Sequence, residues 1–163
     1  MTEISSPTKL LIDGEWRDAV SGKVFDTLDP ATEQVIATLP DPGPEDVDLA
    51  VRAARRAFDD GPWRSMRASQ RGRILRRLAD LMGKYEDEIV RIESLDGGKP
   101  ITGVRRVDLP AAVDCMEYYA GWCDKLTGSI VPVRPDAFTY ILRAPVGVVA
   151  AIVPWNFPLM NAI

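Results

Sequence analysis

The chain has 163 residues, 46% of them hydrophobic and 27% charged, which is enough for one domain with a sizeable core and too little for two well-packed ones. It contains no histidine, so Ser-His-Asp and Cys-His nucleophile activation and histidine-containing metal sites are excluded within it. A formal net charge of −4 gives no overall attraction for phosphate backbones or anionic lipid, so neither nucleic acid nor a membrane is expected as a partner.

Cys115 and Cys123 lie eight positions apart in a helical pattern. Their Cα atoms are expected roughly 12 Å apart, beyond disulfide reach. The opening MTEISSPTKLLIDGEW lacks the basic and apolar regions of a secretory signal. The longest apolar run, Val146 to Val153, is far shorter than a bilayer span. A reducing, cytoplasmic setting is the expectation.

Residues 10 to 40 read as short strands in an antiparallel meander. Asp13-Gly14 is a hairpin turn dipeptide, and VSGKVFDTLDP and QVIATLP alternate between Gly, Asp and Pro breaks. After the punctuation DPGPED, with Asp41 or Asp46 available as a cap, Val47, Ala50, Val51, Ala54 and Phe58 mark one face of a helix ended by Gly61-Pro62. A longer helix follows Ser69, its stripe running through Ile74, Leu78, Leu81, Met82, Tyr85, Ile89 and Ile92 to a stop at Asp96-Gly97-Gly98-Lys99-Pro100. A third helical pattern spans about Val104 to Lys125, with Pro110 kinking or restarting it. Residues 129 to 143 alternate again, as half-exposed strands do.

From Val146 to Val153 the alternation stops, and the segment reads as a strand apolar on both faces, like the buried first strand of a parallel α/β sheet. Such a strand needs neighbours. After Trp155-Asn156-Phe157, Pro158 opens what reads as a helix.

Most chemical motifs reduce to structure. Gly97-Gly98-Lys99 is followed by Pro100 rather than Ser or Thr, so it is a helix stop and not a phosphate loop. The arginines 71, 73, 76 and 77 share one expected helix with Asp80, Glu86, Asp87, Glu88 and Glu93, which makes a solvated amphipathic face rather than an RNA or DNA patch. Nothing near either cysteine obviously depresses a thiol pKa, so both read as packing residues. Asn156 stands apart. At the carboxyl end of an apolar strand it sits where ligands approach such sheets, and its carboxamide is a donor suited to a developing oxyanion. A turn or cap role is the competing reading and, on physics alone, the favoured one.

The run Pro145-Val146-Gly147-Val148 through Ile152-Val153-Pro154-Trp155-Asn156-Phe157-Pro158 resembles the aldehyde dehydrogenase superfamily. So do Leu95-Asp96-Gly97-Gly98-Lys99-Pro100, Tyr119-Ala120-Gly121-Trp122 and Asp29-Pro30-Ala31-Thr32, in the family's order and over nearly the whole chain. The resemblance implies an α/β fold: the amino-terminal part of the aldehyde dehydrogenase fold, with an antiparallel meander, helices and the start of a Rossmann-like parallel sheet, incomplete. It divides the chain into residues 1–126 of the coenzyme-binding domain, an oligomerisation arm at 127–145, and the first strand and helix start of the sheet at 146–163.

The same resemblance implies a function. Family members use NAD or NADP to oxidise an aldehyde to a carboxylic acid, beginning with attack of a cysteine thiolate on the carbonyl. Asn156 matches the oxyanion asparagine, which reverses the preference for a turn role. Ile152, Val153, Pro154 and Trp155 match the lining of the coenzyme cleft, and Phe157 and Met160 match positions near the substrate tunnel. Thr27, Leu28 and Asp96 match a monovalent-cation site, which requires oxygen ligands. The chain corresponds to roughly the first third of a member, and the nucleophilic cysteine and general-base glutamate lie downstream, so these residues alone are expected to be inactive. A homo-oligomer built through the arm is the implied partner. Two alternatives stand beside this reading: a non-catalytic truncated interaction module, and one piece of a two-chain enzyme.

Overall fold

In the computed structural model, which describes residues 7–163, the Asp13-Gly14 turn closes a hairpin of β1 (Leu10–Ile12) and β2 (Glu15–Arg17). Both turn residues have positive φ, 56° and 80°, the combination that matches the twist of the flanking strands. A second hairpin pairs β3 (Val24–Leu28) with β4 (Val35–Pro40), with a register shift between Thr27 and Leu28. Its turn is organised by Asp29, which is buried and accepts hydrogen bonds from the Ala31 N–H at 2.8 Å and the Thr32 hydroxyl at 2.9 Å. The strands expected over residues 10 to 40 therefore form, but as two separate pairs rather than one continuous meander.

The first helix, α1 (Pro44–Asp60), begins at a proline and is fastened by Asp46 rather than Asp41. The Asp46 carboxylate, 2% exposed, accepts from the Gly43 N–H at 2.9 Å and from the Val20 N–H at 3.0 Å, so one side chain caps the helix and ties it to the loop after β2. Gly61 ends α1 and a short α2 (Pro62–Ser65) follows.

The long helix expected from Ser69 to the glycine stop is two helices, α3 (Ala68–Lys84) and α4 (Glu86–Gly97), broken at Tyr85. The break has a physical cause in the sequence that the apolar stripe concealed. Glu86, Asp87 and Glu88 occupy the first turn of α4, where acidic side chains favour the positive end of a new helix. At its far end α4 stops where expected: Gly98 adopts φ 68°, and its N–H donates to the Ser94 carbonyl at 3.0 Å. A Cβ on Gly98 would lie 2.6 Å from Pro30 Cγ, so the end of α4 packs directly against the β3–β4 turn.

A single turn, α5 (Ile101–Gly103), leads into a π turn at Val104–Asp108 and then α6 (Leu109–Trp122). Pro110 explains the widening: it has no N–H to donate to the preceding turn, and the Leu109 N–H reaches back five residues to the Val104 carbonyl. The helices α3 and α6 pack closely where Gly72 faces Ala120, whose carbonyl oxygen would lie 2.7 Å from an added Cβ. Met82, Val90, Val104, Leu109 and Ala112 form the core between α3, α4, the π turn and α6. Both cysteines are free thiols.

Beyond α6 the chain has less cover. A short hairpin pairs β5 (Ser129–Ile130) with β6 (Tyr140–Ile141), leaving Phe138 and Leu142 largely exposed. Residues 142–157 form no helix or strand. This corrects the strand expected from Val146 to Val153: a strand apolar on both faces exists only between neighbours, and no strand among the described residues pairs with it. Val146 and Ile152 are 94% and 99% exposed as a result. The chain then turns at Trp155-Asn156 and ends in α7 (Pro158–Ala162), with Pro158 in its first turn as expected. Leu159 and Ile163 pack against the helical core. Among the described residues no helix is long and apolar enough to cross a membrane.

Candidate active-site turn and its supports

Pro158 fixes where α7 begins, and Leu159 and Ile163 fix where it docks. Together they set the position of the turn just upstream, which carries Asn156. The Asn156 side chain is exposed, at the end of the apolar ribbon and beside the half-buried Phe157. Of the positions matched to a coenzyme cleft, Ile152, Pro154 and Trp155 are exposed, Trp155 at 87%, and Val153 is less so. Phe157 and Met160 are both half-buried.

Phe157 lies under a cation. The Lys99 ammonium sits 3.4 Å from the centroid of its ring, well within range of an electrostatic attraction to the π face. Lys99 also forms an ion pair with Asp108, whose side chain is 5% exposed. On the other flank, the Leu159 N–H donates to Glu93 Oε1 at 3.5 Å. Partial burial pushes the Glu93 carboxyl above its usual range, a shift opposed by the Leu159 hydrogen bond and reinforced by the nearby negative charge of Asp108. Neither Lys99, Asp108 nor Glu93 stood out in the sequence. Lys99 was accounted for by the helix stop, although an aspartate such as Asp108, amid Val107 and Leu109 at the start of a helix, is the kind of residue that needs a buried cation.

The residues matched to a cation site come together from far apart in the chain. The Thr27 hydroxyl donates to Asp96 Oδ1 at 2.7 Å, joining β3 to the last turn of α4. Leu28 adjoins them at the register shift in the β3–β4 ladder. A hydroxyl, a carboxylate and a main-chain carbonyl are all hard oxygen donors, so their chemistry fits a monovalent cation. No cluster of three or more acidic, cysteine or histidine side chains suited to a multivalent metal occurs among the described residues. A separate open hollow of 340 Å³ lies between the β3–β4 turn and the end of α4, lined by Asp29, Arg91, Ser94, Gly98, Lys99 and Ile101. It contains none of the residues 152–160.

Comparison with known proteins fits this arrangement. The aldehyde dehydrogenase family model matches residues 16–163, and the chain belongs to that family. An aldehyde dehydrogenase of Alternaria alternata is 47% identical over 158 residues, covering 97% of this chain and 32% of the relative. A mitochondrial aldehyde dehydrogenase of Homo sapiens is 48% identical over 153 residues, covering 93% of this chain and 30% of the relative. Among solved structures, the NAD+ complex of an aldehyde dehydrogenase from Bacillus cereus superposes with a TM-score of 0.93 at 42% identity, over 98% of this chain and 32% of that one. The chain thus has the fold of the amino-terminal part of an aldehyde dehydrogenase and spans about a third of the length of the curated relatives it matches.

Proposed function

We propose that these residues are the amino-terminal part of an NAD(P)+-dependent aldehyde dehydrogenase that oxidises an aldehyde to a carboxylic acid, and that Asn156 is its oxyanion donor. The observation that carries this reading is the exposed Trp155–Asn156 turn, held at its downstream side by Phe157 and α7 on a packed helical core. A carboxamide at such a turn is free to donate to an external oxygen, and its position is fixed before that oxygen arrives, which is what makes such a donor effective.

The remaining residues take roles consistent with their surroundings. The exposed ribbon Ile152–Trp155 offers apolar side chains and a backbone engaged in no ladder, suited to line a coenzyme cleft whose opposite wall lies elsewhere. The coenzyme itself supplies a hydride acceptor. Phe157 and Met160 border the substrate side. Thr27, Asp96 and the Leu28 main chain hold a monovalent cation at the junction of β3 and α4. The arm at 127–145, with the exposed Phe138 and Leu142, pairs with another subunit of a homo-oligomer in a cytoplasmic enzyme. The segment 146–163 enters a parallel sheet when its neighbours are supplied, while residues 1–126 form the preceding part of the coenzyme-binding domain.

Residues 1–163 alone are expected to oxidise no aldehyde, because the thiolate that starts the family's chemistry is not among the roles filled here. In the complete enzyme, Asn156→Ala is expected to lower kcat about 100-fold or more, with the KM for coenzyme changed by less than about twofold, since an oxyanion contact acts only on the reacting carbonyl. Steady-state kinetics measures both. An unchanged kcat would remove the proposed role of the amide.

A further inference from the structure

We propose that Lys99 is a positioning residue for the Asn156 turn: gripped by the buried carboxylate of Asp108, its ammonium clamps the Phe157 ring and so fixes the main chain that presents the adjacent carboxamide. The proposal rests on the oxyanion reading of Asn156 for its catalytic consequence, although the clamp itself does not.

Lys99 is anchored at both of its ends. Its carbonyl accepts the Ser94 hydroxyl at 2.6 Å directly after the Gly98 cap, which ties its backbone to α4. Its ammonium is paired with Asp108, a residue only 4% exposed at the end of the π turn. A buried carboxylate demands a cation, so the position of the Lys99 charge is set by the helical body. That charge lies 3.4 Å from the Phe157 ring centroid. A ring held over a fixed cation is favoured in one orientation of its face.

The need for such a clamp follows from what lies on either side. Upstream of Asn156 the ribbon is exposed, and nothing among the described residues packs on Ile152. Downstream, Leu159 and Ile163 meet the core and the Leu159 N–H meets Glu93. Phe157 is the first residue after Asn156 with a directed side-chain contact, so Lys99 acts where the path of the turn is decided.

The test uses the complete enzyme with the paired substitution Lys99→Met and Asp108→Asn, which removes the cation without leaving a buried carboxylate unpaired. Amide hydrogen exchange across residues 157–162 is expected to accelerate about fivefold, while exchange in the middle of α6 stays as it was. The kcat is expected to fall by a similar factor with little change in the KM for coenzyme. Lys99→Arg, which keeps a cation able to stack on the ring, should recover most of both losses. Phe157→Leu provides a second route to the same loosening with the ion pair intact. On an Asn156→Ala background the paired substitution should cost no further kcat, because a clamp acting through the amide has nothing left to position. Unchanged exchange at 157–162, or a full additional loss of kcat on that background, overturns the proposal. Failure of Asn156→Ala alone to lower kcat removes only the oxyanion reading, and exchange with arginine recovery then decides the clamp.

Discussion

The helical body and the ribbon that follows it are both rich in apolar residues and treat them in opposite ways. In α3, α4 and α6 the apolar residues recur every three or four positions and part of that stripe is buried, with Val90 and Ala112 fully inaccessible, while Ile74 and Leu78 on α3 and Tyr118 and Trp122 on α6 stay exposed. From Val146 to Trp155 they run without period, and Val146, Ile152 and Trp155 stand almost entirely in the open. A periodic stripe needs cover on one side only, which the other helices supply for Met82, Val90, Leu109 and Ala112. An unbroken apolar segment needs cover on both sides, and the described residues supply neither.

Substitutions can sharpen or break that contrast. The largest effect is expected at Gly72, where Gly72→Leu forces side-chain atoms toward the Ala120 carbonyl, 2.7 Å from even a Cβ. A loss of about 3 kcal/mol or non-folding is the expected result, measured by urea unfolding. A paired truncation compares the two regions directly. Val90→Ala should cost about 2 kcal/mol because the site is fully enclosed, whereas Ile152→Ala in the same chain should change stability by less than about 0.5 kcal/mol. Equal losses at the two positions would mean that the ribbon packs on the body after all.

The smallest effect belongs to the joint between the regions. The Glu93 carboxyl binds its proton more tightly in the folded chain than in the unfolded one, chiefly because it is partly buried. In the pH window just above the ordinary glutamate range the folded state therefore holds more protons than the unfolded state, so this group makes stability fall as pH rises through that window. Glu93→Gln should flatten this dependence, and at neutral pH it should be within about 0.5 kcal/mol of the parent because the amide oxygen can still accept from Leu159. Unfolding midpoints across pH 4 to 8 would detect it.

Local chemistry was legible wherever one or two adjacent residues decided the outcome. Asp13-Gly14 dictated a turn with two positive φ values, Gly98 a left-handed cap, and Pro158 the start of α7. The break at Tyr85 was hidden because its flanking apolar residues keep the same stripe on both sides, and only the acidic run at 86–88 marks a new beginning. The π turn was half legible: Pro110 announced a disturbance, but the form it took depends on where Val104 and Leu109 bury. Of the site, Thr27 and Asp96 were named from family likeness and do meet, 69 residues apart in sequence. The link from Asp108 through Lys99 to Phe157 was invisible because the helix stop already explains Lys99, the family likeness assigns Phe157 to a substrate tunnel, and the burial of Asp108 shows only in the structure.

One absent methyl group has a reach greater than its size. The hairpin bearing Thr27 and the helix bearing Asp96 can abut only because Gly98 leaves Pro30 room to rest against the bare backbone. A methyl there would wedge the two elements apart at the very seam where their oxygens converge. The cation proposed for that seam would then depend on a residue that offers it no donor of its own, and Gly98→Ala should weaken its binding with Thr27, Leu28 and Asp96 all still encoded.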